Sequence, residues 1–532
     1  MAVNSLPQNI DHRKMTLFQR RQKFIIALPF FVWFVWAVIQ TAWVSDDAYI
    51  TFRSIENFIH GYGPIFNIGE RVQTFTHPLW FLLQSLANWI IGLWKDNPLG
   101  TSRLYYINIL LSVAISGLTA LVYLIAADGK NAALGLTVFA LSKAFVDYST
   151  SGLENPLSHL LLVVFLAVYL QDKQKSDLQL YLLSCLAALS GTNRVDLILL
   201  FLPALFYLFW VSTDRLKTLR IFALGFLPLI LWETFSIFYY GFPFPNTAMA
   251  KLNTGISLMR AMEQGVIYYL NSLRLDPLTQ AVIYISIILC LFKRDNAQRA
   301  MILGVLLYLF YILYIGGDFM SGRFFTPPLV IAVFLLFRTG FNSIKVLLPS
   351  FALIVIVGLL PIYLIPERNP AFIEEASNLK AFVDTNGISD ERNFYYRQMG
   401  FLNNLDGSPA VYKGEWVYLD PQPVQVEMVG TLGVAGYRLG PNVHVIDRNA
   451  LADPLMGHMP LEDENNWRIG HFHHILPEGY IETLTSEENQ ITNPSIALYY
   501  DMLSIVIKGD LWDWARFVEI WNLNTGKYEI IF

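Results

Sequence analysis

An apolar stretch from Phe24 to Val44, directly behind Arg13, Lys14, Arg20, Arg21 and Lys23, constrains this chain more than any other feature. At 1.5 Å per residue, a helix of that length crosses about 30 Å of hydrocarbon. A cleaved signal peptide has a shorter apolar core and is not usually followed by many more spans. The stretch therefore predicts a first transmembrane helix, with a cytoplasmic N-terminus over 1–23 and residue 45 onward outside. Further apolar runs lie near 77–94, 104–126, 131–147, 156–170, 178–191, 195–212, 220–240, 279–292, 300–315, 327–337 and 346–365. Composition agrees: 54% of residues are hydrophobic and 15% charged, against about 25% charged in a soluble domain. Disorder, a collagenous fibre and a disulfide scaffold are excluded. Cys185 and Cys290 sit inside apolar runs and read as small core residues.

The connectors with Arg215, Lys217 and Arg220, with Lys293, Arg294 and Arg299, and with Arg338 and Lys345 read as cytoplasmic. That puts 241–276, 316–326 and 366–532 outside. Parity then requires one run among 77–240 to be re-entrant or broken, with 131–147 and 178–191 as the candidates. Residues 1–366 carry a charge balance of +8 and residues 367–532 one of −13. The expected architecture is a polytopic α-helical membrane protein, with about 11–12 helices over 24–365. An extracytoplasmic mixed α/β domain over 366–532 follows. Its β-prone stretches are Val424–Val429, Val443–Asp447 and Ser504–Lys508, its turns are at 406–409 and 440–442, and a helical pattern runs near 371–384. Neither a nucleotide-binding loop nor a nucleic-acid footprint is visible.

The strongest chemical signal follows the first helix: Ser45-Asp46-Asp47-Ala48-Tyr49-Ile50-Thr51-Phe52-Arg53. Adjacent carboxylates at a membrane face raise each other's pKa, and each can accept a proton or hold a cation. Residues 47–60 have the spacing of a helix lying along the interface. The segment continues through His60-Gly61-Tyr62-Gly63 and Glu70-Arg71-Val72 to Thr76-His77-Pro78-Leu79-Trp80.

In this order the motifs resemble the membrane glycosyltransferases of the GT-C fold, specifically the terminal β-(1→2)-arabinofuranosyltransferases and pilin arabinosyltransferases. The resemblance continues through Thr150-Ser151-Gly152-Leu153-Glu154, Asn193-Arg194-Val195-Asp196, Pro245-Asn246-Thr247 with Lys251, and Gly316-Gly317-Asp318-Phe319-Met320 with Arg323. In the tail it takes in Ile446-Asp447, Leu451-Ala452-Asp453-Pro454 and Gly470-His471-Phe472. It departs at Thr76-His77-Pro78, where Ser-Pro is usual, and at Asn193–Asp196, where Arg-Pro-Asp-Gly is.

The resemblance implies transfer of a sugar, arabinofuranose first, from a polyprenyl-phosphate donor to a glycan or protein acceptor outside the cell membrane, with inversion. An external carboxylate suits the general base, so Asp46 is expected as base, with Asp47 positioning the acceptor or a cation. Basic groups must neutralise the leaving phosphate. Lys251 and Arg323 are first for that role, then Arg194, with Arg53 and His77 within reach, and Glu154, Asp196 and Asp318 complete the expected donor- and substrate-binding set. Plainer readings stand beside these. Arg194 with Asp196 can be an ion pair at a helix start. Glu154 reads first as a helix-capping acid, Lys251 as a snorkelling lysine and Asp318 with Arg323 as a local salt bridge. Gly316-Gly317, however, allows backbone to approach a ligand. His471, His473 and His474 specify no complete metal site; no cofactor is required, and a divalent cation has no further support. A transporter or flippase for a lipid-linked glycan, and a non-catalytic membrane scaffold, are the alternatives.

Overall fold

A computed structural model describes residues 17–92, 103–127, 129–171, 174–252, 254–338, 343–365, 382–405, 416–419, 425–486 and 488–528. The chain opens with α1 (Leu17–Gln40), α2 (Asp46–Ile59), α3 (Pro78–Gly92), α4 (Arg103–Ala126), α5 (Gly129–Leu141), α6 (Lys143–Asp147), α7 (Asn155–Tyr169) and α8 (Asp177–Asn193). It continues with α9 (Ile198–Val211), α10 (Arg215–Gly225), α11 (Leu227–Tyr240), α12 (Asn246–Leu252), α13 (Leu258–Leu275), α14 (Pro277–Phe292), α15 (Asn296–Tyr314), α16 (Thr326–Arg338) and α17 (Ile344–Leu364). By length and composition, α4, α15 and most of α17 each suit a membrane crossing, as do the bent pairs α10–α11 and α13–α14 if each counts as one span. Residues 24–40 of α1, with α7, α9 and α16, form shorter apolar helices. This is a multi-pass membrane protein built mostly of helices. Its apolar centre gathers Phe34, Phe139, Phe165, Phe201, Ile302 and Val333. Leu202, Phe206 and Trp210 recur at four-residue spacing on the exposed side of α9, a stripe that lipid can cover.

Of the two runs expected to be broken, 178–191 lies inside the continuous α8 and 131–147 is the interrupted one. Ser142 takes extended backbone between α5 and α6, and its hydroxyl accepts the Phe145 amide. The Asp276 carboxylate accepts from Ser142 Oγ at 3.1 Å and from the Ala144 amide at 2.9 Å. Asp276 also caps α14, accepting the Thr279 amide, at a corner where α13 and α14 meet at 110°. One buried carboxylate thus satisfies orphan amides at two helix starts.

Beyond α17 the described elements are α18 (Glu391–Met399), β1 (Gln425–Val429), α19 (Gly433–Arg438), β2 (Val443–Asp447), α20 (Tyr480–Ser486), α21 (Pro494–Lys508) and α22 (Trp514–Asn524). β1 and β2 pair in parallel, Gln425 opposite Val443, so two of the three expected strands are present. The third, Ser504–Lys508, is helical: Ile496, Tyr499, Tyr500, Leu503, Val506 and Ile507 form the buried stripe of α21. The wider period of 3.6 overrides a five-residue β-prone window. Pro441 and Asn442 turn as expected. The turn at 406–409 and most of the helical pattern near 371–384 lie outside the described residues; Phe382 to Asp384 are not α-helical. The tail shares its core with the membrane body, since Val72 and Ala250 pack with Leu455, Tyr480 and Leu503. An antiparallel bridge joins Trp43 to Gly400, with Phe401 N donating to Ala42 O at 2.7 Å.

Candidate functional site

α2 begins at the aspartate pair, after Ser45 in extended backbone. Two carboxylates in a first turn are favoured by the helix dipole. Both line a cavity of about 170 Å³ together with Lys251, Phe319, Glu391 and Tyr395. Most of the remaining wall comes from the tail, including Asn449, Arg468 and His471. The helix expected over 47–60 is present, but it does not lie open along an interface: Ala48 to Asn57 are all buried.

The two aspartates differ in their surroundings. Asp46 Oδ1 accepts the Val434 amide at 2.9 Å, at the start of α19. A Cβ at Gly433 would run into the Asp46 carboxylate, so only glycine lets that turn settle there. Burial pushes Asp46 up to about 6, against the Val434 amide, with the Asp47 charge adding to the rise. Asp47 is likewise raised, by burial first; Lys251 and Arg323 pull the other way, and Asp318 and Glu154 add to it.

Behind the aspartates lies a charged network centred on Glu154. Its carboxylate is fully buried and stands 3.0 Å from Arg323 Nη2, 3.4 Å from Arg194 Nη1 and 3.3 Å from His77 Nδ1. Glu154 is at the N-cap position of α7 but makes no side-chain cap hydrogen bond. The capping role expected of it is therefore replaced by that of a counterion. Burial opposes its charge, yet Arg323, His77 and Arg194 outweigh burial and hold it at about 2. Burial pushes His77 down to about 4; neutral at pH 7, it leaves the two guanidinium groups to keep Glu154 ionised. His77 Nε2 is 2.9 Å from Thr51 Oγ1, one turn along α2 from Asp47. Arg194 also pairs with Asp196 at 2.5 Å, and the Tyr308 hydroxyl donates to Asp196 at 2.9 Å. Arg323 reaches Asp318 at 3.4 Å, so both expected ion pairs exist as members of one larger set. The room at Gly317 is taken by the Tyr268 ring rather than by open space for a ligand.

Lys251 stands apart from this network. It ends α12 as an exposed lysine on the cavity wall, with its ammonium 5.9 Å above the Phe319 ring. Arg53 does not join the site. It is fully buried, and its guanidinium donates to Phe66 O, Gly436 O and Val443 O at 2.8, 2.5 and 2.7 Å. Expected near donor or substrate, it does not line the cavity and instead fastens the tail to α2. The tail motifs are divided in the same way. Asp453 accepts the Leu455 and Met456 amides, and Asn246 donates to the carbonyls of Ala450, Leu451 and Asp453. His474 is buried between the Met459 and Ala250 carbonyls, whereas His471 faces the cavity. Among the described residues no three His, Cys, Asp or Glu side chains are grouped to hold a metal. Glu391, Tyr395 and Arg468 were not singled out from the sequence. They stand in an acidic stretch that reads as ordinary solvated surface, without a local motif.

No family model matches the chain. It is similar to the terminal β-(1→2)-arabinofuranosyltransferase of Mycobacterium tuberculosis, 27% identical over 85% of this chain and 84% of that one. A protein of the same name from Corynebacterium glutamicum is 25% identical over 58% of this chain and 49% of its own length. Among solved structures, ArnT from Cupriavidus metallidurans bound to undecaprenyl phosphate aligns with a TM-score of 0.43 at 14% identity, over 71% of this chain and 68% of that one. AglB from Archaeoglobus fulgidus, in complex with an inhibitory peptide and a dolichol-phosphate, aligns with a TM-score of 0.46 at 14% identity, over 81% and 65%.

Proposed function

We propose that this multi-pass membrane glycosyltransferase moves a sugar, arabinofuranose first, from a polyprenyl phosphate to an acceptor hydroxyl on the extracytoplasmic face, with inversion. One observation carries the reading: two carboxylates and a lysine share one small cavity, backed by the buried Glu154–Arg194–Arg323 network. In the transfer, the acceptor oxygen bonds to the anomeric carbon as the bond from that carbon to phosphate oxygen breaks. The acceptor proton goes to a carboxylate, and the polyprenyl phosphate leaves with the bonding electrons. A positioned base contributes about 10²–10⁴ in rate.

Asp46 already holds the α19 amide, while the Asp47 carboxylate has no hydrogen bond or ion pair among the described residues. We therefore give the base to Asp47 and the positioning role to Asp46, the reverse of the sequence reading. Lys251, outside the ion-pair network, is the first group for the leaving phosphate, with Arg323 behind it. Glu154, Asp196 and Asp318 hold the two guanidinium groups in place and more than balance their charge, which leaves Lys251 as a cation facing the cavity. A polar cleft lined by Asn386, Asn465, Asn466, Trp467 and Arg468 adjoins the cavity through Thr431, Arg468 and His471. Arg260, Asp384, Glu462 and Asp463 line it too; amides, an indole and carboxylates all suit a hydroxyl-rich chain, so the acceptor is assigned to that side. Purified protein should transfer sugar from a polyprenyl-phosphate donor with no nucleotide sugar present. Turnover that requires a nucleotide sugar and ignores the lipid would sink the proposal.

A further inference from the structure

Glu391 has an unusual mounting. The residues on either side of it are both tied to the five-residue helix α6, at the break in the membrane body. Lys143 Nζ meets Asp390 Oδ1 at 2.9 Å, and Asp147 Oδ1 meets Arg392 Nε at 2.5 Å. Lys143 and Asp147 also pair with each other. One residue earlier, Ser389 N donates to Phe319 O at 2.7 Å and Ser389 O accepts Ser321 N at 3.0 Å. A backbone gripped at 389, 390 and 392 leaves the 391 side chain little choice of direction, and it lines the cavity that holds Asp46 and Asp47. Glu391 is only 6% exposed, and its carboxyl makes no ion pair among the described residues. Glu391 is the first residue of α18, with Asp390 as its N-cap, and two buried ion pairs that bracket a third buried acid are a costly way merely to start a helix.

We propose that Glu391 is a substrate-contacting residue of the transfer site, its carboxyl group donating a hydrogen bond to a sugar hydroxyl, with α6 as the clamp that aims it. The inference rests on the transferase reading above. Its charge state is set by what faces it. Asp46 and Asp47 on α2 oppose ionisation. Lys251 on α12 lines the same cavity, Tyr148 follows α6, and Tyr395 is on its own helix. The Ser389 side chain, a hydrogen-bond donor toward the Glu391 carboxyl, favours ionisation first and Arg468 favours it next from the 468–471 turn; His471 beside it is pushed down to about 3, chiefly by burial and then by Arg468. Burial and then Asp47 raise Glu391 to about 8. At pH 7 it is a neutral acid and a donor; above about 8 it loses the proton that it donates.

The test uses full-length protein in lipid nanodiscs, with a polyprenyl-phosphate sugar donor and a saccharide acceptor. E391A should lower kcat/KM by roughly ten- to a hundred-fold, mostly through KM, as expected for one lost hydrogen bond to a buried partner. E391Q, which keeps size and a donor, should stay within about threefold of wild type at pH 7 and hold its activity at pH 9, where wild type declines. Wild-type transfer with E391A within twofold of it overturns the inference alone. So does E391Q as impaired as E391A at a wild-type melting temperature, because it would mean that an ionised carboxylate is needed. If neither variant folds, a wild-type profile that stays flat from pH 7 to 9 overturns it. A wild-type protein that transfers nothing from the lipid donor sinks the transferase reading instead.

Discussion

At the residue scale, Asp46 and Asp47 are adjacent in the chain but have different tasks to lose. D47N should lower kcat by about 10²–10⁴ and leave the melting temperature close to wild type. D46N keeps an oxygen that can accept the Val434 amide and sheds a charge that burial disfavours, so it should lower activity less than D47N without lowering the melting temperature at pH 7; kcat and thermal unfolding of the two variants check this. Near-wild-type turnover by folded D47N would remove it as the base. Glu154→Gln leaves Arg194 and Arg323 buried without their shared anion, and should cost about 3–5 kcal/mol of stability, read from unfolding midpoints. The signs of the pH effects differ between these acids. Asp46 and Glu391 bind protons more tightly folded than unfolded, so their contribution is complete below their ordinary carboxylate values. It is lost as pH rises through about 6 and about 8. Glu154, held at about 2, contributes fully above its ordinary value and loses that only as pH falls toward 2. E391Q should therefore flatten the decline in melting temperature between about pH 4.5 and 8. The aspartate pair was legible because adjacency is a property of the sequence. Glu154 was legible as a candidate but not as a hub, since its partner Arg323 lies 169 residues away.

At the element scale, α2 and α19 act as a matched pair. Asp46 and Arg53 are two turns apart on one face of α2. The acid meets the amide end of α19, and the guanidinium meets Gly436 O further along it. Both charges complement the dipole of the short helix. R53A should strip charge-assisted bonds worth about 1.5–3 kcal/mol each from Phe66, Gly436 and Val443. The expected outcome is a tail more open to limited proteolysis and a lower unfolding midpoint; selective loss of donor affinity in an otherwise stable protein would return Arg53 to the donor site. Helical spacing places Arg53 on the face of Asp46, yet nothing in the sequence says that a helix some 380 residues later covers that face. Charge parity asked for one irregular run among 77–240 and left 131–147 and 178–191 as candidates; the break at Ser142 was not located by it. Its cause was not legible either, because Asp276, which caps the break, comes from another corner of the fold.

At the scale of the whole molecule, the membrane body and the tail enclose one cavity between them. Deleting the tail should remove donor and acceptor use alike, because it uncovers the buried faces of α2 and α12; retained donor turnover by a truncated chain would contradict this shared construction. Membrane orientation is testable in the same terms. A cysteine placed at Ser495, exposed at the start of α21, should react with an impermeant reagent on intact cells if the tail is outside, and only after lysis if it is inside. The shared cavity also bears on biosynthesis. Asp46 emerges from the ribosome 388 residues before Val434, which caps against it. At 5–20 residues per second, that interval is roughly 20–80 s. Throughout it, the inserted helices carry an acidic pair without its cover. If the cavity must be closed for transfer, a chain truncated before Val434 should insert in the membrane but turn over no donor; turnover by such a chain would show that the cover is dispensable.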